Sequence, residues 1–305
     1  MLCPYCLQNT PSDGKCKHCK ENLPPMYTSQ HRGLGRRPAV LSAVGFSGHG
    51  KTVYLAAMLD AMATQLPKVW TGFFRQGLDD ESVTTVKNNL TMLRQGVLPE
   101  STRRNFPRPS AHRLNKMPQY RCRDLLIYDP PGEAFERDID IERFAHFIKR
   151  AKVVLFLVSV HDLDEPKDNH LYRLLEMYNL GMARVRAKTK HQHLIVAYTK
   201  ADLLIESWEK YPLVREHLNN GAYTQLRNPR KYQHNLKQVS DELLAYTRDS
   251  LEAQQFINAT QTHFKSVIYC AVSALGHPPD DSGHLTAAMQ PRCVLDPLLW
   301  VLARG

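Results

Sequence analysis

The sequence predicts an α/β fold, a three-layer sandwich around a mostly parallel sheet, preceded by a small zinc ribbon. Short apolar runs of strand length recur along the chain, and segments whose apolar residues have helical spacing separate them. This alternation is typical of parallel sheets whose faces are covered by helices. Four cysteines within the first 19 residues predict the ribbon. The predicted strands are 39–44, 125–128, 153–158, 194–198 and 267–272.

The composition places the chain among globular proteins. It has 305 residues, of which 43% are hydrophobic and 23% charged, and these proportions exclude disordered and fibrous classes. The longest apolar run, 153–160, is far shorter than a membrane span. The first residues lack the basic and apolar stretches of a signal peptide, so we expect a cytoplasmic protein with reduced cysteines. The formal net charge of +10 predicts an anionic partner: nucleic acid, membrane surface, nucleotide or acidic protein.

The first predicted unit, residues 1–23, is built around two C-x2-C pairs. Each pair can present two sulfurs to one metal ion, and two pairs supply the four soft ligands of a closed tetrahedral Zn²⁺ site. About twenty residues cannot bury a useful core, so metal binding would supply the folding free energy. A disulfide pair or a redox C-x-x-C is the alternative, but neither a secretory context nor a thioredoxin-like βαβ pattern surrounds these cysteines. The predicted zinc ligands are Cys3, Cys6, Cys16 and Cys19; His18 could replace one of them, although we expect it to be a spacer.

The rest of the chain is predicted to form a linker and one larger domain. Residues 24–38 contain three Pro, two Gly and three Arg without an apolar period, which predicts a linker. Residues 39–305 are predicted to form the domain, with insertions at about 70–98 and 205–264. Helical spacing of apolar residues predicts an extra packing helix in the first insertion, an apolar helix in the second, and a terminal helix at 294–302.

A glycine-rich loop connects the first predicted strand to a helical segment. The loop, residues 45–52, fits the G-x4-G-K-[ST] pattern, in which backbone N–H groups point inward at phosphate oxygens. Lys51 would reach the β- and γ-phosphates, and the Thr52 hydroxyl would ligate Mg²⁺. His49 is expected to be a spacer, with a phosphate contact as the alternative. The predicted nucleotide-binding residues here are Gly45, Gly48, His49, Gly50, Lys51 and Thr52.

An aspartate and a glycine follow the second predicted strand. Asp129 comes directly after the apolar run 125–128, where it can hold the Mg²⁺ shell beside Thr52. Gly132 comes three residues later and allows a backbone N–H to approach the γ-phosphate closely. The pair therefore predicts a second phosphate and metal contact, supplied by a distant part of the chain.

Two later strands end in short motifs, Thr-Lys-Ala-Asp at 199–202 and Ser-Ala-Leu at 273–275. Together with the glycine-rich loop and the Asp129 motif, they form four motifs in one order, each after an apolar strand. This order resembles the P-loop GTPases of the translation-factor and Ras-like class, over roughly residues 39–305. The resemblance implies a P-loop GTPase sandwich that binds GTP or GDP together with Mg²⁺.

The resemblance also implies roles for the two later motifs. Asp202 matches the aspartate that accepts hydrogen bonds from the guanine N1–H and N2 amino group, so adenine would be rejected strongly. Lys200 would lie along the base, while Ser273 and Ala274 would cover the guanine O6 with a backbone N–H. The implied base-site residues are Thr199, Lys200, Asp202, Ser273, Ala274 and Leu275.

The chain departs from small GTPases between the first two motifs, where 78 residues separate Lys51 from Asp129. The family needs a threonine in this interval to complete Mg²⁺ coordination and to sense the γ-phosphate. Thr102 is the predicted residue and Ser101 the alternative. The surrounding Leu-Pro-x-x-Thr element is similar to that of bacterial zinc-ribbon proteins grouped as double-GTPases.

Glu133 stands where many relatives carry the glutamine or histidine that orients the attacking water. An ionised glutamate only accepts hydrogen bonds and adds negative charge near the γ-phosphate. It could act as a base, but we expect slow hydrolysis or catalysis completed by a partner. Arg103 or Arg104 could supply an arginine finger in cis, and a solvated partner-facing patch is the alternative. The predicted catalytic residues are Lys51, Thr102, Gly132 and Glu133.

We therefore expect a GTP-binding molecular switch with slow Mg²⁺-dependent hydrolysis that controls association with a protein partner. The alternatives are a GTP-dependent assembly scaffold without hydrolysis and a nucleic-acid-binding module that acts through the ribbon. Residues 1–40 hold six Lys or Arg against two acids, and residues 103–123 hold seven basic residues and no acid. Because this charge lies at the ribbon, linker and switch loop, we expect a partner with an acidic surface rather than nucleic acid.

Overall fold

A seven-stranded sheet forms the centre of the structure, a computed structural model that describes residues 1–11, 14–31, 37–99, 108–120, 122–131, 147–163, 165–204, 207–220 and 223–304. The strands are β1 Ala39–Val44, β2 Phe74–Gly77, β3 Ser110–Asn115, β4 Arg123–Tyr128, β5 Val153–Ser159, β6 His193–Thr199 and β7 Ser266–Ala271. They lie in the order β2-β3-β4-β1-β5-β6-β7. The five strands from β4 to β7 are parallel, whereas β2 and β3 are antiparallel to their neighbours.

Helices cover both faces of this sheet. Those with described bounds are α1 Pro25–His31, α2 Lys51–Thr64, α3 Leu66–Val69, α4 Asp80–Arg94, α5 Lys167–Arg184, α6 Pro212–Asn220, α7 Pro229–Asp249, α8 Gln254–His263 and α9 Asp296–Arg304. Within the described ranges, none of these helices has the length and apolar character needed to cross a membrane.

The predicted strands and the predicted fold class are confirmed. Each of the five apolar runs forms one parallel strand, and every residue of β1, β5 and β6 is buried. Strands that read as continuous apolar runs are typical of parallel sheets buried on both faces. One core lies between the sheet and helices α5 and α8, and the other lies between the sheet and helices α2 and α9. Helix, sheet and helix form the three expected layers.

The apolar pattern does not reveal β2 and β3, because both strands carry polar side chains that are paired across the sheet. Arg113 on β3 donates to Asp124 on β4, with Nε and Oδ1 2.8 Å apart. Arg75 on β2 donates to Nδ1 of His112 on β3 at 3.1 Å. Burial, reinforced by the nearby Arg75 charge, lowers the pKa of His112 to about 3. Polar side chains of these two strands are thus paired with neighbouring strands, and neither strand has the continuous apolar run that predicts a buried strand.

The helix predicted in the first insertion is confirmed as α4. It begins after Asp79, whose carboxylate accepts the Ser82 N–H at 3.1 Å and caps the helix. Leu90 and Leu93 are buried, whereas Val83 remains 44% exposed. The same insertion contains β2, so it adds an edge strand to the sheet as well as a packing helix. The predicted apolar and terminal helices correspond to α7 and α9, and their apolar residues lie in the core.

The stretch predicted as a linker, residues 24–38, contains helix α1. Tyr27 on this helix is fully buried, and its hydroxyl donates to the Leu2 carbonyl at 3.0 Å. Arg150, in the larger domain, donates to the carbonyl of Cys6 at 3.0 Å. Direct contacts as well as the chain connection therefore attach the ribbon to the larger domain. The boundaries of the two units stay a prediction.

Candidate nucleotide-binding site and zinc centre

Four predicted motifs begin at one edge of the sheet. Strand β1 leads into the glycine-rich loop, β4 into Asp129, β6 into 199–202 and β7 into 273–275. Because these strands are parallel, their carboxyl ends lie at the same edge, which is where ligands bind in open α/β sheets. The topology thus brings together residues that are far apart in the sequence.

The glycine-rich loop uses backbone positions that other residues rarely fill. Gly48 and Gly50 have φ angles of 79° and 76°, in the left-handed region. A Cβ atom on Gly45 would lie 2.4 Å from the carbonyl oxygen of Leu157, where the start of the loop lies beside β5. Gly50 directly precedes α2, so the positive end of the helix dipole adjoins the loop. This arrangement suits an anion such as phosphate.

Lys51 places a buried positive charge inside the loop. Its ammonium group donates to the carbonyl oxygens of Gly45 at 2.9 Å and Phe46 at 2.8 Å. The loop therefore folds around the side chain predicted to contact phosphate, and it holds that charge close to the start of α2.

Two predicted magnesium ligands meet at the end of the loop. The Thr52 hydroxyl donates to Oδ2 of Asp129 at 2.9 Å, although 77 residues separate them. A hydroxyl and a carboxylate are the hard oxygen ligands that Mg²⁺ prefers. The residues present therefore fit the predicted Mg²⁺ site.

His49 lies behind the loop and connects the phosphate motif to the base motif. The side chain is 4% exposed, and its Nδ1 donates to the Leu157 carbonyl at 3.2 Å. Burial lowers the pKa of His49 to about 4, so its ring is neutral near pH 7. The backbone carbonyl of His49 accepts a hydrogen bond from the Thr199 hydroxyl at 2.9 Å. These contacts favour the spacer role over a phosphate contact.

A cavity of about 450 Å³ lies at the carboxyl edge of the sheet. It is large enough for a small-molecule ligand, since such sites span about 300–1,000 Å³. The predicted residues that line it are Gly48, Gly50, Lys51, Thr52, Thr199, Lys200, Asp202, Ala274 and Leu275. Of the predicted nucleotide-site residues that the structure describes, four lie outside this lining: Gly45, His49, Asp129 and Ser273.

One contact in the cavity wall was not predicted. Lys200, in the left-handed region with φ 56°, forms an ion pair with Asp162, which follows β5 and also lines the cavity. Burial by itself raises the pKa of Asp162, but the hydrogen bond and the positive charge of Lys200 lower it below its usual value. The available signal is positional: His161 and Asp162 lie two and three residues after a buried parallel strand, at the edge where the other motifs lie.

Two segments that line the cavity also contact each other. Val97 and His284 form an antiparallel backbone bridge, and the Leu285 N–H donates to the Gly96 carbonyl at 2.7 Å. Both segments contribute to the cavity lining, through Leu98, Pro99, His277, Pro278 and Pro279. The segment that leads towards Thr102 is therefore tied to the loop that follows the Ser-Ala-Leu motif.

Several predicted switch residues lie outside the described part of the chain. They are Ser101, Thr102, Arg103, Arg104, Gly132 and Glu133. Their roles stay predictions from the sequence.

The four ribbon cysteines converge on one point. Their sulfur atoms all lie within 4.8 Å of one another. The Sγ atoms of Cys3 and Cys19 are 3.8 Å apart, and those of Cys6 and Cys16 are 3.7 Å apart. Tetrahedral coordination with Zn–S bonds of about 2.3 Å places sulfurs about 3.8 Å apart, whereas a disulfide needs about 2.05 Å. The geometry fits Zn²⁺.

The two halves of the ribbon repeat one backbone pattern, which explains this convergence. The Leu7 N–H donates to the Cys3 carbonyl at 3.0 Å, and the Lys20 N–H donates to the Cys16 carbonyl at the same distance. Both Leu7 and Lys20 have positive φ angles, 53° and 61°. His18 contacts the Asn9 carbonyl at 3.0 Å through Nε2. The cluster therefore uses the four cysteines, and His18 occupies the expected spacer position.

A comparison with protein families decides the class of this chain. The sequence model of the Double-GTPase 2 family matches residues 39–267, more than half of the chain. The chain belongs to the Double-GTPase 2 family. This membership confirms the resemblance to P-loop GTPases and supports GTP or GDP binding with Mg²⁺. A comparison with curated proteins gives no match.

Solved structures similar to this Double-GTPase include three P-loop GTPase chains. Bacterial selenocysteine-specific elongation factor EF-Sec is 12% identical over 77% of this chain and 26% of its own, with a TM-score of 0.33. The S. cerevisiae Ski7 GTPase-like domain, bound to GDP and inorganic phosphate, is 14% identical over 87% of this chain and 49% of its own, with a TM-score of 0.35. The signal recognition particle receptor SRb-GTP/SRX complex from Chaetomium thermophilum is 15% identical over 80% of this chain and 94% of the other, with a TM-score of 0.37. This chain thus spans half or less of the first two.

Proposed function

We propose that this Double-GTPase is a GTP-binding switch that hydrolyses GTP slowly and changes its affinity for a protein partner. The observation that carries the proposal is the joint position of Thr52, Asp129 and Asp202. The first two form a hard-oxygen pair at the glycine-rich loop. Asp202 lines the same cavity as that loop. A phosphate site and a base-reading carboxylate are therefore available to one nucleotide.

The phosphate end would bind through the backbone of the loop and the start of α2. Lys51 would exchange its hydrogen bonds to the Gly45 and Phe46 carbonyls for phosphate oxygens. Thr52 and Asp129 would hold Mg²⁺, with Thr102 as the third protein ligand. When bound, Mg²⁺ neutralises charge on the β- and γ-phosphates.

The base end would select guanine through Asp202. An ionised carboxylate accepts two hydrogen bonds, and guanine offers two adjacent donors, N1–H and the N2 amino group. The Lys200–Asp162 ion pair holds the neighbouring part of the motif in place. Ala274 and Leu275, from the Ser-Ala-Leu motif, form another part of the cavity wall.

Slow turnover follows from Glu133, which can only accept hydrogen bonds when ionised. Intrinsic hydrolysis by GTPases without an arginine finger is about 10⁻⁴ s⁻¹, and a partner's arginine raises it about 10³–10⁵-fold. Gly132 and Thr102 would contact the γ-phosphate, and the loops that carry them would change conformation when the γ-phosphate is lost.

The partner would carry an acidic surface and dock near the ribbon. A cleft of about 470 Å³ between the ribbon and the larger domain is lined by Arg37, Arg150 and Lys152. An adjoining depression adds Lys149, Arg186 and Lys188. This concentration of positive charge favours an anionic surface at a site in contact with the ribbon. Salt-dependent binding of an oligonucleotide to this cleft would instead favour the nucleic-acid alternative.

Single-turnover hydrolysis of GTP tests the proposal. The purified chain should hydrolyse bound GTP at a rate near 10⁻⁴ s⁻¹, to within about tenfold. Thr52→Ala should lower the Mg²⁺-dependent rate at least about 10-fold, because it removes a metal ligand. Thr64→Ala is the matched control, since Thr64 lies at the far end of the same helix and donates to the Asp60 carbonyl. GTP binding without measurable hydrolysis would overturn the switch in favour of the non-hydrolysing scaffold.

A further inference from the structure

Three side chains of metal-binding type lie close together outside the nucleotide site, where α6 approaches the start of α9. His217 lies on α6, Cys293 precedes α9, and Asp296 begins α9. Their ligand atoms all lie within 4.8 Å of one another. The side chains of His217 and Asp296 are 11% and 2% exposed, and Cys293 is buried. The sequence does not suggest this cluster, because His217 is 76 residues from Cys293.

The three side chains are oriented by hydrogen bonds. His217 Nε2 and Asp296 Oδ2 are 2.6 Å apart. The Tyr232 hydroxyl donates to the other oxygen of Asp296, Oδ1, at 2.6 Å. The Cys293 thiol donates to the His217 backbone carbonyl at 3.4 Å. A carboxylate held through its second oxygen is typical of metal ligands, whose outer hydrogen bonds fix their direction.

The cluster adjoins a cavity of about 180 Å³. His217 and Cys293 line it together with polar side chains, among them Glu216, Asn220 and Gln238. This volume exceeds the roughly 30 Å³ that a water molecule occupies in the liquid. A fourth ligand such as water therefore has room beside the three protein ligands.

We propose that Cys293, His217 and Asp296 bind a second zinc ion, separate from the ribbon site. A thiolate, an imidazole and a carboxylate form a donor set that suits Zn²⁺, whereas Ca²⁺ and Mg²⁺ prefer oxygen ligands alone. The ion replaces the proton shared by His217 and Asp296. Zinc bonds of about 2.0 Å need nitrogen and oxygen about 3.3 Å apart in a tetrahedral site, so these two groups separate by about 0.7 Å on binding.

The ion would connect the second insertion to the base-reading loop. Arg292, next to Cys293, forms a backbone bridge with Ser273, with N···O distances of 3.0 and 2.8 Å. Zinc bound to His217 and Cys293 therefore fixes helix α6 to the segment that supports the Ser-Ala-Leu motif. The site itself does not depend on nucleotide binding, and its presence is independent of the proposed function.

Zinc content of the full-length chain tests this inference. The protein is exchanged into metal-free buffer with a weak chelator, and zinc per chain is measured by mass spectrometry in the absence of nucleotide. We expect two zinc ions per chain for the unaltered protein and one for Cys293→Ala. Cys122→Ala is the control, because the Cys122 thiol donates to Asn115 instead and should leave two ions. One ion per chain in all three proteins would overturn the inference.

Cobalt substitution keeps the inference testable if Cys293→Ala does not fold. In Cys6→Ser/Cys19→Ser, which disrupts the ribbon site, the remaining cluster should bind one Co²⁺. A sulfur-to-cobalt absorption band from the one thiolate of the cluster, Cys293, should accompany it. Addition of His217→Ala should abolish that band. Absence of a band in the ribbon-disrupted chain that is folded by circular dichroism would contradict a second metal site.

Discussion

The phosphate end and the base end of the cavity are built in different ways. The phosphate end is one continuous loop, residues 45–52. Its conformation is set mainly by glycines in the left-handed region and by the buried Lys51, which donates to loop carbonyls. The base end combines three separate segments: 161–162, 199–203 and 274–279. In the proposed complex, backbone amides would bind phosphate without regard to the rest of the ligand, whereas side chains at the base end would select the base. The difference predicts that backbone changes disturb affinity and that side-chain changes disturb specificity.

A hydrogen bond connects the two ends directly. The Thr199 hydroxyl donates to the carbonyl of His49 at 2.9 Å, so the first residue of the base motif holds the back of the phosphate loop. His49 in turn contacts Leu157 at the end of β5. A change at either end therefore affects the other most directly through this pair.

The largest expected effect is at the base end, in Asp202→Asn. Asparagine presents an amide donor to the guanine N1–H and N2 amino group, so donors face donors. Xanthine carries a carbonyl oxygen in place of the N2 amino group and can accept from that amide. We expect the preference for GTP over XTP to change by about 10⁴-fold, as is typical when a buried hydrogen-bonding site meets an unmatched ligand. Competition of GTP and XTP against labelled GDP measures the preference.

Asp281→Asn is the control for this substitution, because Asp281 is exposed and lies outside the cavity lining. It should leave the preference for GTP unchanged. If Asp202→Asn also keeps the preference for GTP over XTP, another residue selects guanine and the assignment of the base end to Asp202 is wrong.

A smaller effect is expected at the phosphate end, where Gly45→Ala and Gly48→Ala separate two roles of glycine. A Cβ at position 45 would meet the Leu157 carbonyl at 2.4 Å, so β1 or β5 must shift and move the loop. A Cβ at position 48 meets no atom within 4 Å and adds only the strain of φ 79°. We expect GDP affinity to fall about 100-fold, or about 2.7 kcal/mol, in the first variant. The second should lose about 10-fold, since a left-handed backbone costs about 1–2 kcal/mol.

Calorimetric titration with GDP gives both affinities, and thermal unfolding of the nucleotide-free proteins gives the matching stabilities. Equal losses in the two variants would show that the close approach to Leu157 does not position the loop.

The same contrast explains what the sequence can and cannot predict. The parallel strands are evident because burial on both faces demands continuous apolar runs. The four motifs are evident because each follows such a run. In contrast, β3 contains His112 and Arg113, whose polarity is neutralised only by partners on β2 and β4. A single strand carries no information about the charge that will face it.

Long-range pairs set the second limit. The ribbon cysteines are recognisable because two close pairs lie within 19 residues. The His217–Cys293–Asp296 cluster also contains metal-binding side chains, but they come from α6 and the region around the start of α9, which are far apart in the sequence. The Lys200–Asp162 pair likewise depends on the order of β5 and β6. Such sites follow from topology, and their residues look ordinary in the sequence.

The smallest expected effect concerns acid and the residue that joins the two ends. His49 has its pKa lowered to about 4 by burial; the Lys51 and His170 charges act in the same direction, whereas the Leu157 carbonyl and Asp162 oppose it. The unfolded chain binds a proton near pH 6.5, and the folded chain does so only near pH 4, so stability is lost as pH falls through this window. Between pH 7.5 and 5.5 this single group should cost about 1 kcal/mol. His49→Asn keeps a donor for Leu157 but does not titrate, so its unfolding free energy should fall less over this range.

His191→Asn, at an exposed position, controls for the loss of any histidine. Chemical denaturation of the nucleotide-free proteins at the two pH values measures the difference. If the unfolding free energies of the unaltered protein and His49→Asn fall equally between the two pH values, the loop does not depend on a neutral imidazole. The conformation of the phosphate end would then depend on its backbone alone.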